Sequence, residues 1–249
     1  MTATVPDTTT SATTEAVPHG RVSQPAPVGL LARFPAVGVG LLLLGGVLFG
    51  LLAVNVRTNG PLLAWDLPID TTLHARATHD FWLTFDLMRF SGTLGRETAL
   101  IITILLGLIW LWKRHWQAFS MLLIGVIGGN IWFEVLSGFF GRHRPVWVDP
   151  LDPLPGPGFP SGHSMTSMLL YGLILLLLLP RLSSWRWRLL AVLDALFIIL
   201  LVGFSRLYMG AHYPTDVLAG YSFGLAWGAL VYTSIELIQR RRLARHSTG

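Results

Sequence analysis

Long apolar runs alternate with short polar segments along most of this chain. Apolar residues dominate about 35–56, 97–112, 116–140, 163–179, 187–204 and 215–238. Each run approaches the roughly 20 residues that a helix needs to cross a bilayer core. The pattern predicts an all-α fold, a bundle of six transmembrane helices spanning residues 35–238. Between the first two runs lies a mixed segment, Arg57 to Arg96, holding Trp65, Asp66, His74, His79, Trp82 and Arg89. Its apolar residues recur at helical spacing but are broken by charges. That predicts an amphipathic helical segment at the membrane interface, with His74 and His79 as interfacial residues. Residues 1–34 are rich in Thr, Ser, Ala and Pro, which predicts a disordered tail. They lack the basic start and apolar core of a signal peptide. Residues 239–249 form a basic tail.

Composition supports a membrane setting. Of 249 residues 52% are hydrophobic and only 12% charged, against about 25% charged in soluble domains. The net charge is +5, and every basic residue but Lys113 is arginine. These arginines flank apolar runs, so they report topology rather than nucleic-acid binding. Lys113-Arg114, then Arg181, Arg186 and Arg188, then Arg240-Arg241-Arg242 and Arg245 mark one side. The positive-inside rule makes that side cytoplasmic. Both termini are then cytoplasmic, and the opposite helix ends face outward. The absence of cysteine excludes thiolate nucleophiles, thiolate metal sites and disulfides.

Three polar segments fall together on the outward ends: Arg142-His143-Arg144-Pro145, Pro160-Ser161-Gly162-His163-Ser164, and Ser205-Arg206 with His212 and Asp216. His212 and Asp216 are four apart, so a helix would put them on one face. A carboxylate beside an imidazole fixes its tautomer and stabilises the charge formed when the other nitrogen attacks. His212 is the expected nucleophile and Asp216 its partner. Ser161, Gly162 and His163 open a span, where unpaired N–H groups suit an anion. His163 is placed to protonate a leaving oxygen as general acid. Arg144 and Arg206 are suited to bidentate pairing with phosphate oxygens. Each segment also has a plainer reading: an interfacial histidine, a helix cap, a snorkelling arginine anchor. Their combination is far more specific. Glu134 and Asp194, inside spans, read as helix–helix hydrogen-bonding groups.

Arg144-Pro145, Pro160-Ser161-Gly162-His163 and Ser205-Arg206 with His212 and Asp216 resemble the three-part signature of the type 2 phosphatidic acid phosphatase family. The resemblance runs from about Asp66 to Glu236, and Gly92-Thr93-Leu94-Gly95 fits the start of that family's second helix. It implies a metal-independent phosphatase without cofactors. His212 would be the nucleophile through a phosphohistidine, Asp216 its partner and His163 the acid. Arg144, Arg206, Ser161 and the Gly162 N–H would hold the phosphate. One position departs: Ser137 stands where the family usually has lysine, and Arg142 is expected to take over part of the missing charge.

The expected substrate is a lipid phosphomonoester or diphosphate in a bacterial cytoplasmic membrane, cleaved on the extracytoplasmic side. Undecaprenyl diphosphate, phosphatidylglycerol phosphate and phosphatidic acid all fit. Partners are the lipid substrate and membrane lipids, with no nucleic acid, and oligomeric state is left open. A lipid phosphotransferase with the same site is the alternative. An anion or lipid transporter ranks lower, because the polar groups lie at helix ends and no repeat is visible. A metal hydrolase gathered from His163, His212, Asp216, Asp149 and Asp152 ranks lower too, because the arginines would repel the ion.

Overall fold

A computed structural model describes residues 34–79, 82–148 and 150–246. The expected tail at 1–34 and Asp149 lie outside them, apart from Phe34. Among the described residues every regular element is helical. Helix α1 spans Pro35–Thr58 and is followed by a short turn, Pro61–Trp65. Helices α2 (Asp66–His79) and α3 (Trp82–Thr93) form the mixed segment. Then come α4 (Arg96–Trp112), α5 (Trp116–Phe140, with a π-turn at Leu123–Ile127), α6 (Gly162–Leu178), α7 (Trp185–Tyr208) and α8 (Pro214–His246).

Four of these, α1, α5, α6 extended to Arg181, and α7, are long and apolar enough to cross a membrane. A fifth span arises if α3 and α4, bent by 43° at their junction, count as one. Helix α8 has 33 residues, about 50 Å at 1.5 Å per residue. It carries Asp216, Glu236 and a scatter of Tyr, Ser and Thr, so it is less apolar than its neighbours. It also continues through Arg240-Arg241-Arg242 to His246, so those arginines are helical.

Helix α6 is the centre. In its span 56% of residues are buried, against 17% in α1. Its Met165, Leu169, Leu170 and Leu173 meet Met121, Leu122, Val126 and Phe133 of α5 and Tyr232 of α8. Helix α1 lies on α8 through small residues. A Cβ at Gly45 would sit 2.6 Å from the Ser222 carbonyl, so the backbones touch there. Such contact suits helices that associate by packing rather than by a hydrophobic drive. Outward, α1 exposes Leu43, Val47 and Leu51, and α7 exposes Leu193, Phe197 and Leu200. A belt of this kind needs lipid around it.

Helix α2 turns its polar residues inward. Its buried stripe is Asp66, Asp70, His74 and Ala77, at spacings of four, four and three, while Leu67 and Ile69 are exposed. His74 is buried and stacks on Trp147 at 3.9 Å. Within the stripe, Asp66 finds polar partners in Arg142 and Thr215.

Candidate active site

Helix order brings four chain segments to one end of the bundle. Helix α5 ends at Phe140, and Gly141 closes it in the left-handed conformation (φ 58°) that suits glycine. Loop residues 142–148 and 150–160 then cover the starts of α6 and α8. Helix α6 begins at Gly162, and α7 ends at Tyr208. The turn 209–213 leads straight into α8. The Lys113-Arg114, Arg181–Arg188 and Arg240–Arg242 clusters fall at the opposite helix ends.

His212 is fully buried in that turn. Its Nδ1 lies 2.8 Å from the Gly158 carbonyl. A carbonyl only accepts, so Nδ1 carries the proton and Nε2 keeps its lone pair. Asp216 Oδ2 stands 3.7 Å from the same Nδ1. Sequence spacing identified Asp216 as the partner; the nearer acceptor is a loop carbonyl that no side-chain pattern announces. Arg144 Nη1 lies 2.6 Å from His212 Nε2 and also donates to the Ala211 carbonyl at 3.0 Å. Burial holds His212 well below the ordinary imidazole range, and Arg144, His163 and Arg206 push the same way. The ring is neutral at neutral pH, the form that can attack.

The other residues expected at the site surround this ring. Arg206 is 3% exposed and donates from Nη1 to Asp152 Oδ2 at 2.6 Å. Ser161 caps α6: its Oγ accepts from Ser164 N at 3.4 Å, and its own N–H donates to the Asp216 carbonyl at 2.9 Å. Gly162 follows as the first helical residue and is buried. Its Cα faces the Phe133 ring, where a Cβ would come within 2.9 Å. His163 Nε2 lies 3.3 Å from Glu97 Oε2 at the start of α4. Sequence reasoning used Glu97 only as the edge of a span.

Arg142 faces another way. Its Nη2 donates to Asp66 Oδ2 at 2.7 Å, and its Nη1 donates to Asp216 Oδ1 at 2.6 Å and Thr215 Oγ1 at 2.7 Å. Thr215 in turn donates to Asp66 from N and Oγ1 at 2.9 and 2.6 Å. Asp66, Arg142 and Asp216 thus form one buried chain behind the histidine. Both terminal nitrogens of Arg142 are engaged by carboxylates, which differs from the phosphate-holding part expected of it. The signal for Asp66 was the Asp66–Asp70–His74 spacing on a helix, which passed for interfacial polarity.

Asp70 lies beside this chain. Both its carboxylate oxygens are buried without a hydrogen-bond partner. Burial, then the charges of Asp216 and Asp66, push its pKa up to about 7. The native state therefore binds this proton more tightly than the unfolded chain. Stability falls as pH rises from the ordinary value of 3.8 towards about 7, and stays low above that. Asp70→Asn should raise the thermal midpoint in detergent more at pH 8 than at pH 5. An equal gain at both pH values would remove the titrating carboxyl from this account.

The fold and site define a helical, multi-pass membrane protein with a histidine–arginine centre at one end of its helices. The chain belongs to the PAP2 superfamily, whose description matches residues 114–240. It is 37% identical over 167 residues to phosphatidylglycerophosphatase B of Bacillus subtilis (strain 168), covering 65% of this chain and 79% of that protein. It is 33% identical over 155 residues to an undecaprenyl-diphosphatase of Sulfolobus acidocaldarius, covering 60% of this chain and 69% of that one. It also resembles the crystal structure of a transmembrane PAP2-type phosphatidylglycerolphosphate phosphatase from Bacillus subtilis. There the TM-score is 0.66 at 28% identity, over 82% of this chain and 96% of that one. This is a membrane phosphatase of that family.

Proposed function

We propose that this phosphatase hydrolyses a lipid phosphomonoester or diphosphate through a phosphohistidine on His212. The observation that carries the reading is the direction of that ring. Nδ1–H is held by the Gly158 carbonyl with Asp216 behind it, and Nε2 points to Arg144. Nε2 attacks phosphorus as the lipid oxygen leaves, and His163 gives that oxygen a proton. Asp216 stabilises the positive ring of the intermediate. Arg144, Arg206, Ser161 and the first N–H groups of α6 hold the phosphoryl oxygens, where charge gathers in the transition state. Water then attacks the phosphohistidine with His163 as base, which releases phosphate and restores both rings. Asp152 occupies Arg206 in the free protein, and an incoming phosphate would displace it. No step calls for a metal ion or cofactor.

The names of the relatives support phosphatidylglycerol phosphate or undecaprenyl diphosphate as the substrate. We count α8 as the sixth span, since its length exceeds the membrane core even with its polar residues. The arginine clusters then put both termini in the cytoplasm and the site on the extracytoplasmic face, at headgroup depth. We assign residues 35–238 to the catalytic bundle.

The test is phosphate release by purified protein in detergent with chelator present, from polyprenyl diphosphate, phosphatidylglycerol phosphate and phosphatidic acid. Release should persist in chelator and be inhibited by vanadate, which mimics the five-coordinate transition state. Loss restored by added metal, or no release from any of the three lipids, would overturn the reading. Appearance of phosphate on an added alcohol instead of in solution would mark a transferase.

A further inference from the structure

Two glycines let the turn between α3 and α4 lie directly on the site. A Cβ at Gly92 would sit 1.5 Å from Arg206 Nη2, and one at Gly95 would sit 2.7 Å from His163 Cδ2. The two residues that follow are charged. Glu97 reaches His163. Arg96 reaches α5: its guanidinium carbon lies 4.4 Å over the Phe133 ring, its Nε donates to Asn130 Oδ1 at 3.3 Å, and its Nη2 pairs with Glu134 Oε1. The edge of that same Phe133 ring is what Gly162 packs against. Asn130 Oδ1 also accepts from Thr166 Oγ1 of α6. Arg96 is therefore one ring away from the N-terminus of α6.

Position 137 shares this face. It follows Phe133 by four residues and Asn130 by seven, so all three line one side of α5. The residue there is Ser137, which is 5% exposed and brings no charge. Arg142 is turned away from it, with both terminal nitrogens on Asp66 and Asp216. Arg144 also senses Arg96. Its pKa is lowered, chiefly by burial; Arg206 and Arg96 add to this while Asp216 and Asp152 oppose it.

We propose that Arg96 is a phosphate-binding residue of this site, supplying from α4 the cation that position 137 on α5 does not. The proposal rests on the phosphatase reading above. In the free protein the guanidinium is held by Glu134, whose side chain is 65% exposed. An incoming phosphate would share the guanidinium, whose Nη1 takes part in neither the Asn130 nor the Glu134 contact. Glu97 acts alongside as a positioning residue, holding the His163 ring that delivers the proton.

The experiment compares wild type, Arg96→Gln, Ser137→Lys and the double variant in full-length protein. Two readouts are taken: kcat and KM on the best lipid phosphate, and the thermal shift produced by orthovanadate. Arg96→Gln should lower kcat/KM by roughly 10- to 100-fold, the ratio that one charged hydrogen bond carries. It should also shrink the vanadate shift. Adding Ser137→Lys should restore most of both, because its ammonium enters the same space from α5. Unchanged kcat/KM in Arg96→Gln would overturn the proposal. So would losses that Ser137→Lys leaves in place, since Arg96 would then only brace α4 against α5. A wild type that binds vanadate but cleaves no lipid phosphate would instead sink the functional reading, and the vanadate shifts of the variants would still decide on Arg96.

Discussion

His212→Ala should abolish phosphate release, with kcat falling by about 10⁴-fold or more, as nucleophile deletions do elsewhere. The ring is the one group whose lone pair faces Arg144 while its other nitrogen is fixed by a carbonyl. The surrounding arginines have no lone pair to offer. His163→Ala should behave differently. Loss of a general acid costs about 10²- to 10⁴-fold, and the loss should shrink for a phosphate ester whose leaving oxygen needs no proton. Both variants can be checked for folding by their thermal midpoint. A His212→Ala protein that stays folded and still releases phosphate would end the phosphohistidine account. Equal losses in His163→Ala for good and poor leaving groups would remove His163 as the acid.

The helices were legible because a membrane span needs one long apolar stretch, and such stretches are hard to hide. The run at 116–140 coincides with α5, and the runs at 35–56 and 187–204 fall two to four residues short of α1 and α7. Span counting was less legible at α8, where buried Tyr232, Thr233 and Glu236 face other helices and dilute the apolar signal. The grouping of the site side chains was legible because three motif segments sit at span edges, and helix reversal brings alternate edges together. What spacing could not give is the backbone. Gly158 becomes the Nδ1 partner only after a loop folds back between two helices. Inverted burial on α2 was also hidden, since Asp66, Asp70 and His74 form the same i, i+4, i+8 pattern whether the stripe faces water or protein. The charge balance decides it: Arg142 needs a second carboxylate, and Asp66 is the one that reaches it.

That chain is the basis of the second large effect. Arg142→Ala should destabilise the protein by about 3–5 kcal/mol, the cost of removing one partner from a buried ion pair. Arg142 joins Asp66 and Asp216, whose side chains are 4% and 0% exposed. Without the guanidinium, two carboxylates remain in one dry pocket with Asp70 close behind. A fall of this size lowers the thermal midpoint on the order of 10 °C for a chain of this length. Turnover should fall with it, because Asp216 then loses the contact that holds it beside His212. The loss should lie in kcat rather than KM if Arg142 braces the pair, and in KM if it grips phosphate. Arg142→Lys should recover only part of the stability, because an ammonium on that stem cannot reach two carboxylates with a planar fork. Combining Arg142→Ala with Asp66→Asn should recover stability by removing one stranded charge, while leaving kcat low because Asp216 is still unbraced. An Arg142→Ala protein as stable as wild type, with KM raised and kcat intact, would return Arg142 to the phosphate and dissolve the brace.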